Sequence, residues 1–330
     1  PNKALLDNNL FGMIKIKDLD FLYEEGLPAI KNIDIDGKIN GSSIELSVNS
    51  AYSSDILISQ GIIEMEWRGI EDTVLNITAK GHGSASSLTD FISEYKHNKM
   101  RQANIDLKAV KGDVDVNIDI KIPFSPSGKN IYNITADIPD SSLSIFKNSI
   151  KLNSAKLSGK FDGDRVVISG NGKVNNFDSD ISFIYNIYDS SEFDHKLDVK
   201  TYFKIIPKKE DNIDQKVGFI TVLNGDAILD LRYINKNSKG SVSINSDMSN
   251  LDLYFDKLGI RNAAGKKALL AIDAAFDDID EGIVDFSIIG EEKLQISGNG
   301  QIGNSRFFAD IDKIQHMQTD LSATMLLEQN

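Results

Sequence analysis

Between residues 113 and 122 the chain alternates without a break. Val114, Val116, Ile118, Ile120 and Ile122 take every second place, and Asp113, Asp115, Asn117, Asp119 and Lys121 fill the gaps. Side chains of a strand point to opposite faces in turn, so this stretch predicts one strand with an aliphatic face and a polar face. Ten residues at about 3.3 Å each span roughly 33 Å, long for a strand. Pro123 then ends it by removing a backbone donor.

The same device predicts strands along most of the chain. The first half reads as strands over residues 11–17, 33–39, 43–48, 55–58, 62–67 and 73–79. Asn40-Gly41 is a hairpin signal, and 18–23 is either one helical turn or an extended connection. The one helix expected is 87–95. Ser87-Leu-Thr-Asp90 resembles a capping box, and Leu88, Phe91, Ile92 and Tyr95 form an i, i+3, i+4, i+7 stripe that needs a sheet end or edge to cover. The second half predicts strands at 131–138, 150–157, 165–174, 181–187, 197–203, 227–233, 241–246, 284–288, 293–297, 307–311 and 321–327. Residues 267–276 are taken as a further strand despite their alanines, and 207–215 as the main loop. In these strands Ile131, Ile150, Leu152, Val166, Ile168, Leu229, Leu231, Val242 and Ile244 hold alternating apolar positions.

Short echoes suggest a repeated unit. Ile168-Ser-Gly-Asn-Gly172 returns as Ile296-Ser-Gly-Asn-Gly300, and Asp137 to Phe146 is echoed, two residues shorter, by Asp247 to Tyr254. We divide the chain at 128/129 into two β-groove units, 1–128 with the capping helix and 129–330, more one continuous elongated sheet than two independent domains.

Composition narrows the function. The 330 residues carry a formal charge of −13, which argues against nucleic acid and against docking on anionic headgroups. There is no cysteine, so thiol chemistry, disulfides and cysteine metal sites are all excluded. No apolar run approaches the roughly 20 residues of a membrane span, and the opening Pro1 reads as that of an excerpt from a longer protein.

Chemical motifs are weak. Gly298, Gly300 and Gly303 satisfy G-x-G-x-x-G but lie between alternating strands, so they read as a hairpin or bulge rather than a nucleotide loop. His82 and His97, with Asp90 and Glu94 between them, read as exposed polar residues. Asp277, Asp278, Asp280 and Glu281 read as a solvated turn without calcium-loop spacing. No nucleophile–base pair or carboxylate pair stands out. We therefore expect no enzyme, no metal and no cofactor. From periodicity alone, the aliphatic face is covered either by a second sheet, as in a sandwich, or by a ligand.

The order of motifs resembles the YhdP-type branch of the AsmA-like superfamily of bacterial envelope proteins. The residues that carry it are Asp18-Leu-Asp-Phe-Leu22, Gly26-Leu-Pro28, Asp34-Ile-Asp-Gly37, Thr78-Ala-Lys-Gly81, the 88–95 helix, and Gly112-Asp-Val-Asp running on to Ile122-Pro-Phe124. Leu258-Gly-Ile-Arg261, Ala264-Gly265, Ile296-Ser-Gly298 and Asp320-Leu-Ser322 follow. One departure is Gly259-Ile-Arg-Asn-Ala-Ala-Gly265, where the family often has an aromatic and then a basic residue before the Gly. The resemblance implies an all-β fold: a long, twisted, mostly antiparallel sheet curled into an open apolar groove, with one or two short helices. It implies a segment of a bridge-like lipid-transfer protein that shields phospholipid acyl chains between inner and outer bacterial membranes and supports outer-membrane integrity. The parent protein is expected to be anchored in the inner membrane, with this stretch in the periplasm, envelope proteins as further partners, and membrane contact made elsewhere in the chain. On this reading the groove is lined by Val114, Val116, Ile118, Ile120, Ile122, Ile131, Ile150, Leu152, Val166, Ile168, Leu229, Leu231, Val242 and Ile244, and capped by Leu88, Phe91, Ile92 and Tyr95. The alternative is a structural or adhesive β-module that binds protein.

Overall fold

The computed structural model describes residues 11–22, 28–88, 110–145, 150–188, 192–205, 215–217, 220–237, 239–255, 259–278, 281–291, 295–303, 306–316 and 319–328. The chain is almost entirely antiparallel β-sheet, not closed into a barrel. It divides into two compact units: residues 1–175 with 184–189, and residues 176–183 with 190–330.

The first unit runs up and down through β1 (Phe11–Phe21), β2 (Ile30–Asn40), β3 (Ser43–Ser53), β4 (Ile56–Glu66), β5 (Val74–Ser84), β6 (Asp113–Pro123), β7 (Ile131–Ile145), β8 (Ile150–Phe161) and β9 (Arg165–Val174). Each strand pairs antiparallel with the next. Short polar turns make this order the cheap one. Asn40 pairs with Ser43 across a two-residue loop that opens on Gly41 at φ +60, so the Asn-Gly signal marks the hairpin but the loop lies one residue later. After β8, the Asp162 carboxylate accepts the backbone N–H groups of Asp164 (3.1 Å) and Arg165 (3.0 Å) and so fixes the turn.

Several strands keep one face apolar by bulging. Ile16 and Leu19 are three residues apart yet oppose Ile35 and Ile33, which are two apart. Asp18 absorbs the extra residue at φ +53, Asn32 does the same in β2 at φ +51, and Ser154 does so between Leu152 and Ala155 of β8 at φ +48. Residues 18–21 are therefore extended, the second of the two forms the sequence allowed. The segments expected at 55–58 and 62–67 are one strand, β4, carried past Ser59-Gln60 by such an irregularity.

Position 128/129 falls within the hairpin in which β6 and β7 pair from Asp115↔Asp137 to Lys121↔Ile131, and the first compact unit continues through β9. The helix expected at 87–95 starts earlier: residues 85–88 are helical, and Ser84, not Ser87, accepts the capping bond, its Oγ taking the Ser87 N–H at 3.3 Å. Residues 89–95 lie outside the described residues.

The second unit holds the start of β10 (Phe177–Asn186), then β11 (His195–Ile205), β12 (Gln215–Val217), β13 (Ile220–Lys236), β14 (Lys239–Asp247), β15 (Asp252–Phe255), β16 (Ile260–Asn262), β17 (Ala268–Asp278), β18 (Glu281–Gly290), β19 (Gln295–Gly303), β20 (Arg306–His316) and β21 (Thr319–Glu328). Its main sheet is ordered β11-β13-β14-β17-β18-β19-β20-β21. The strand choice for 267–276 is correct, because β17 is central and flanked on both sides. Three strands were not anticipated. β12, β15 and β16 are three or four residues long, too short to show a period, and with the first part of β13 they form a small separate sheet.

Candidate functional site

Cross-strand partners share a face, so the strand register converts sequence parity into a surface. In the first unit one transverse row reads Ile16, Ile35, Val48, Gly61, Ala79, Ile118, Ile134, Phe161, Val166. The next row along reads Ile58, Gly81, Val116, Ala136, Gly159, Ile168. Both rows are wholly apolar or glycine across six to nine strands. The residues between them are polar on β4 to β8, Lys80, Asn117 and Thr135 standing side by side, and only β9 breaks the rule with Val167.

The glycines on this face are forced by closeness. A Cβ on Gly172 would come within 2.7 Å of the Ala155 Cβ, and one on Gly61 within 3.0 Å of the Val48 Cβ. The echoed Ile-Ser-Gly-Asn-Gly segments both lie in mid-strand, in β9 and β19, with Ile168/Gly170 and Ile296/Gly298 turned to the apolar face. Gly298 faces Phe286 across β18 beside a register shift, so the G-x-G-x-x-G glycines belong to a bulged strand.

Burial along this face is uneven. Val114 and Val116 are buried, with Ala85, Val110 and Ala136, while Ile118, Ile134, Ile138, Leu143 and Leu88 pack half-exposed around them. Ile120 and Ile122 are half-exposed, as are Ile63, Met65, Leu75 and Ile77. Among the described residues no second sheet lies over these side chains.

The remaining expected positions divide. Leu152, Val166 and Ile168 share the face of Val116 by register, and in the second unit Leu229, Leu231, Val242 and Ile244 share one with Val199 and Ile272. Ile131 is a correction: it pairs with Lys121, stands on the polar face and is 57% exposed. The strand begins one residue out of phase with the aliphatic series, whose members here are Tyr132 and Ile134. Ile150 pairs with Ile145. Leu88 packs against the β6–β7 cluster, whereas Phe91, Ile92 and Tyr95 lie outside the described residues.

The polar face is a lattice of directly opposed charges. Lys38 meets Glu45 at 2.9 Å, Arg232 meets Asp198 at 2.7 Å, and His82 Nδ1 lies 2.8 Å from Asp115. The Asp115 hydrogen bond raises the His82 pKa above its ordinary value. A shallow depression of about 470 Å³ on this face of the second unit is lined by Asp180, Asp198, Asp230, Lys200 and Arg232. Asp198 is engaged by Lys196 and Arg232, and Asp180 by the Tyr202 hydroxyl. Among the described residues no group of three His, Asp or Glu side chains is placed to hold a metal, and no helix is long and apolar enough to cross a membrane.

Sequence reasoning missed two things. His195 is 1% exposed between the rings of Phe183 and Tyr233, at 6.4 and 5.5 Å, with neither ring nitrogen hydrogen-bonded, and burial lowers its pKa. Leu251, Leu253 and Phe255 are almost fully buried under the small sheet; the only trace in the sequence is the short echo ending at Tyr254.

Comparison with known families decides the identity. The model of the family described as YhdP protein matches residues 6–318. The chain belongs to the YhdP family. It is thus a YhdP-type, AsmA-like envelope protein chain, as the order of motifs implied. No curated protein and no solved structure matches the chain.

Proposed function

We propose that the apolar face of this YhdP-family chain shields phospholipid acyl chains, as part of a bridge-like lipid-transfer protein between inner and outer bacterial membranes. One observation carries the reading. In the first unit the face is unbroken across nine strands, yet Ile63, Ile77, Ile118, Ile120 and Ile134 stay half-exposed with no second layer over them among the described residues. Exposed apolar area disfavours a surface by about 25 cal/mol per Å², and each acyl methylene buried against it contributes roughly 0.8 kcal/mol. The opposite face, with its opposed ion pairs, is suited to water. Steps of bond making play no part in this reading. The chain is expected to work in the periplasm as part of an inner-membrane-anchored protein, with no metal or cofactor.

Residue parity supplies the test. A photo-crosslinking side chain at Ile118 or Ile120 should capture phospholipid in cells, whereas the same probe at Asn117 or Asp119 should not, because one step along a strand reverses the face. Lipid captured equally at both parities, or at neither, overturns the reading. Protein adducts at Ile118 and Ile120 with no lipid would instead indicate an adhesive module.

A further inference from the structure

The apolar face of the second unit is bounded at both ends. The small sheet β12-β13-β15-β16 folds over one end of it. β13 makes this possible by changing partners part-way: residues 220–224 pair with β12 and β15, and from Gly225 onward the strand pairs with β11 and then β14. Gly225 sits at φ +114 with the Asn250 carbonyl in the place a Cβ would occupy, so the bend is a glycine position.

Beneath the small sheet, Leu253 (1% exposed) and Phe255 (0%) join Val222, Met248 and Leu251 in packing on Ala227, Ala268, Ile288 and Ile296 of the main sheet. Backbone bonds from Met248 N–H to the Ala268 carbonyl (2.7 Å) and from Gly265 N–H to the Ser249 carbonyl (2.8 Å) hold the cover down. Arg261 grips the buried Asp252 carboxylate with two nitrogens. At the other end, Leu197, His195, Tyr233 and Asn235 are buried again.

Between these ends Val199, Leu231, Ile244, Ile272 and Phe286 form one row that is half-exposed throughout; in the row beside it Leu229 and Leu270 are half-exposed, while Thr201, Ser246, Ile288 and Ile296 are buried. Neighbouring strands lie roughly 4.8 Å apart, so the five strands of this row, β11 to β18, span about 19 Å across the hydrogen-bonding direction. That strip is long and narrow, the shape of one extended acyl chain lying across the strands.

We propose that the cover is a wall, with Phe255 as its principal residue, and that it confines a single acyl chain to this strip. This rests on the lipid-shielding reading above and adds to it a stated path and a stated limit. Phe255 and Leu253 occupy the ground that a second chain would take.

The test uses the full chain in cells, with p-benzoylphenylalanine placed at Phe286, Phe255 or Met248 and adducts read by mass. The expected result is phospholipid on Phe286 and only intrachain adducts at Phe255 and Met248, with at least tenfold less lipid there. Phe255→Ala should bring lipid to the Met248 probe; Phe255→Leu, a milder change that keeps the apolar contact, should do so more weakly and covers the case in which the alanine variant does not fold. Lipid at Met248 or Phe255 comparable with Phe286 in the otherwise unaltered protein overturns the wall. Lipid at Ile118 but none at Phe286 overturns the strip while leaving the first reading intact. Lipid at neither overturns both.

Discussion

If the first unit's face is open, deleting more carbon from it should cost less than deleting little carbon from the covered part of the same strand. Val116 and Ile120 lie four residues apart on β6 and on the same face. Val116 is 5% exposed and sits within the β6–β7 cluster, whereas Ile120 is half-exposed and lies outside it. Val116→Ala removes two methyl groups, about 1.6 kcal/mol at roughly 0.8 each, and the enclosed void adds about 1 kcal/mol at ~24 cal/mol per Å³. The expected loss is therefore about 2.5 kcal/mol. Ile120→Ala removes three carbons, about 2.4 kcal/mol if they were fully buried. Half-exposure roughly halves this, and an open face leaves no enclosed void, so the expected loss is about 1.2 kcal/mol. The assay is urea unfolding of lipid-stripped protein followed by fluorescence. The chain has one tryptophan, Trp67, which lies in the first unit, 39% exposed and tied by its backbone N–H to the Ser42 carbonyl at 2.8 Å. It reports that unit alone. A loss at Ile120 equal to or greater than that at Val116, with m unchanged, would refute the open face and point to a second apolar layer.

Two further outcomes follow from individual side chains. His195 is buried and its pKa lowered, so on unfolding it takes up a proton near its ordinary value of about 6.5; stability should fall as pH drops below that value and level off once the folded form also protonates. The drop in Tm between pH 7.5 and 5.5 should shrink in His195→Phe, and an unchanged drop would place the acid sensitivity elsewhere. The Asp252 carboxylate is held below its usual range by Arg261, so its contribution is present above about pH 4 and lost as pH falls through the lowered value. At pH 7, Asp252→Asn should loosen the small sheet by about 1–2 kcal/mol, seen as roughly tenfold faster hydrogen exchange at Leu253 and Phe255; exchange unchanged at both would remove Arg261 from the account.

Much of the fold could be read from the chain because a half-exposed sheet writes itself as strict alternation. β9 is found at its predicted bounds for this reason, and the aliphatic series of β6 appears intact as one face. The failures are physical too. Ile131 was misassigned because a strand's first residue gives no phase; Tyr132, aromatic but facing the apolar side, settles it only once Ile120 is known to lie opposite. β15 and β16 escaped notice because strands of three or four residues, such as Asp252–Phe255, are too short to show a period. The cover depends on Gly225, whose meaning comes from the Asn250 carbonyl 25 residues away and not from its neighbours in sequence. Local pattern gives strand and face; what lies over the face is decided by contacts distant in sequence.

The bulges at Asp18, Asn32 and Ser154 bear on how such a protein can change length. One residue added to a strand turns every later side chain over, so an unbuffered single insertion would put Lys and Asp where the aliphatic row belongs. Two added residues keep the phase. A single one survives only where a residue can take a left-handed backbone, as these three do at φ +48 to +53. Growth and loss within these strands therefore proceed in pairs, with single steps confined to Asn, Asp, Ser or Gly. Relatives that differ in length should show their odd-numbered gaps beside those residues and their even-numbered gaps anywhere along a strand.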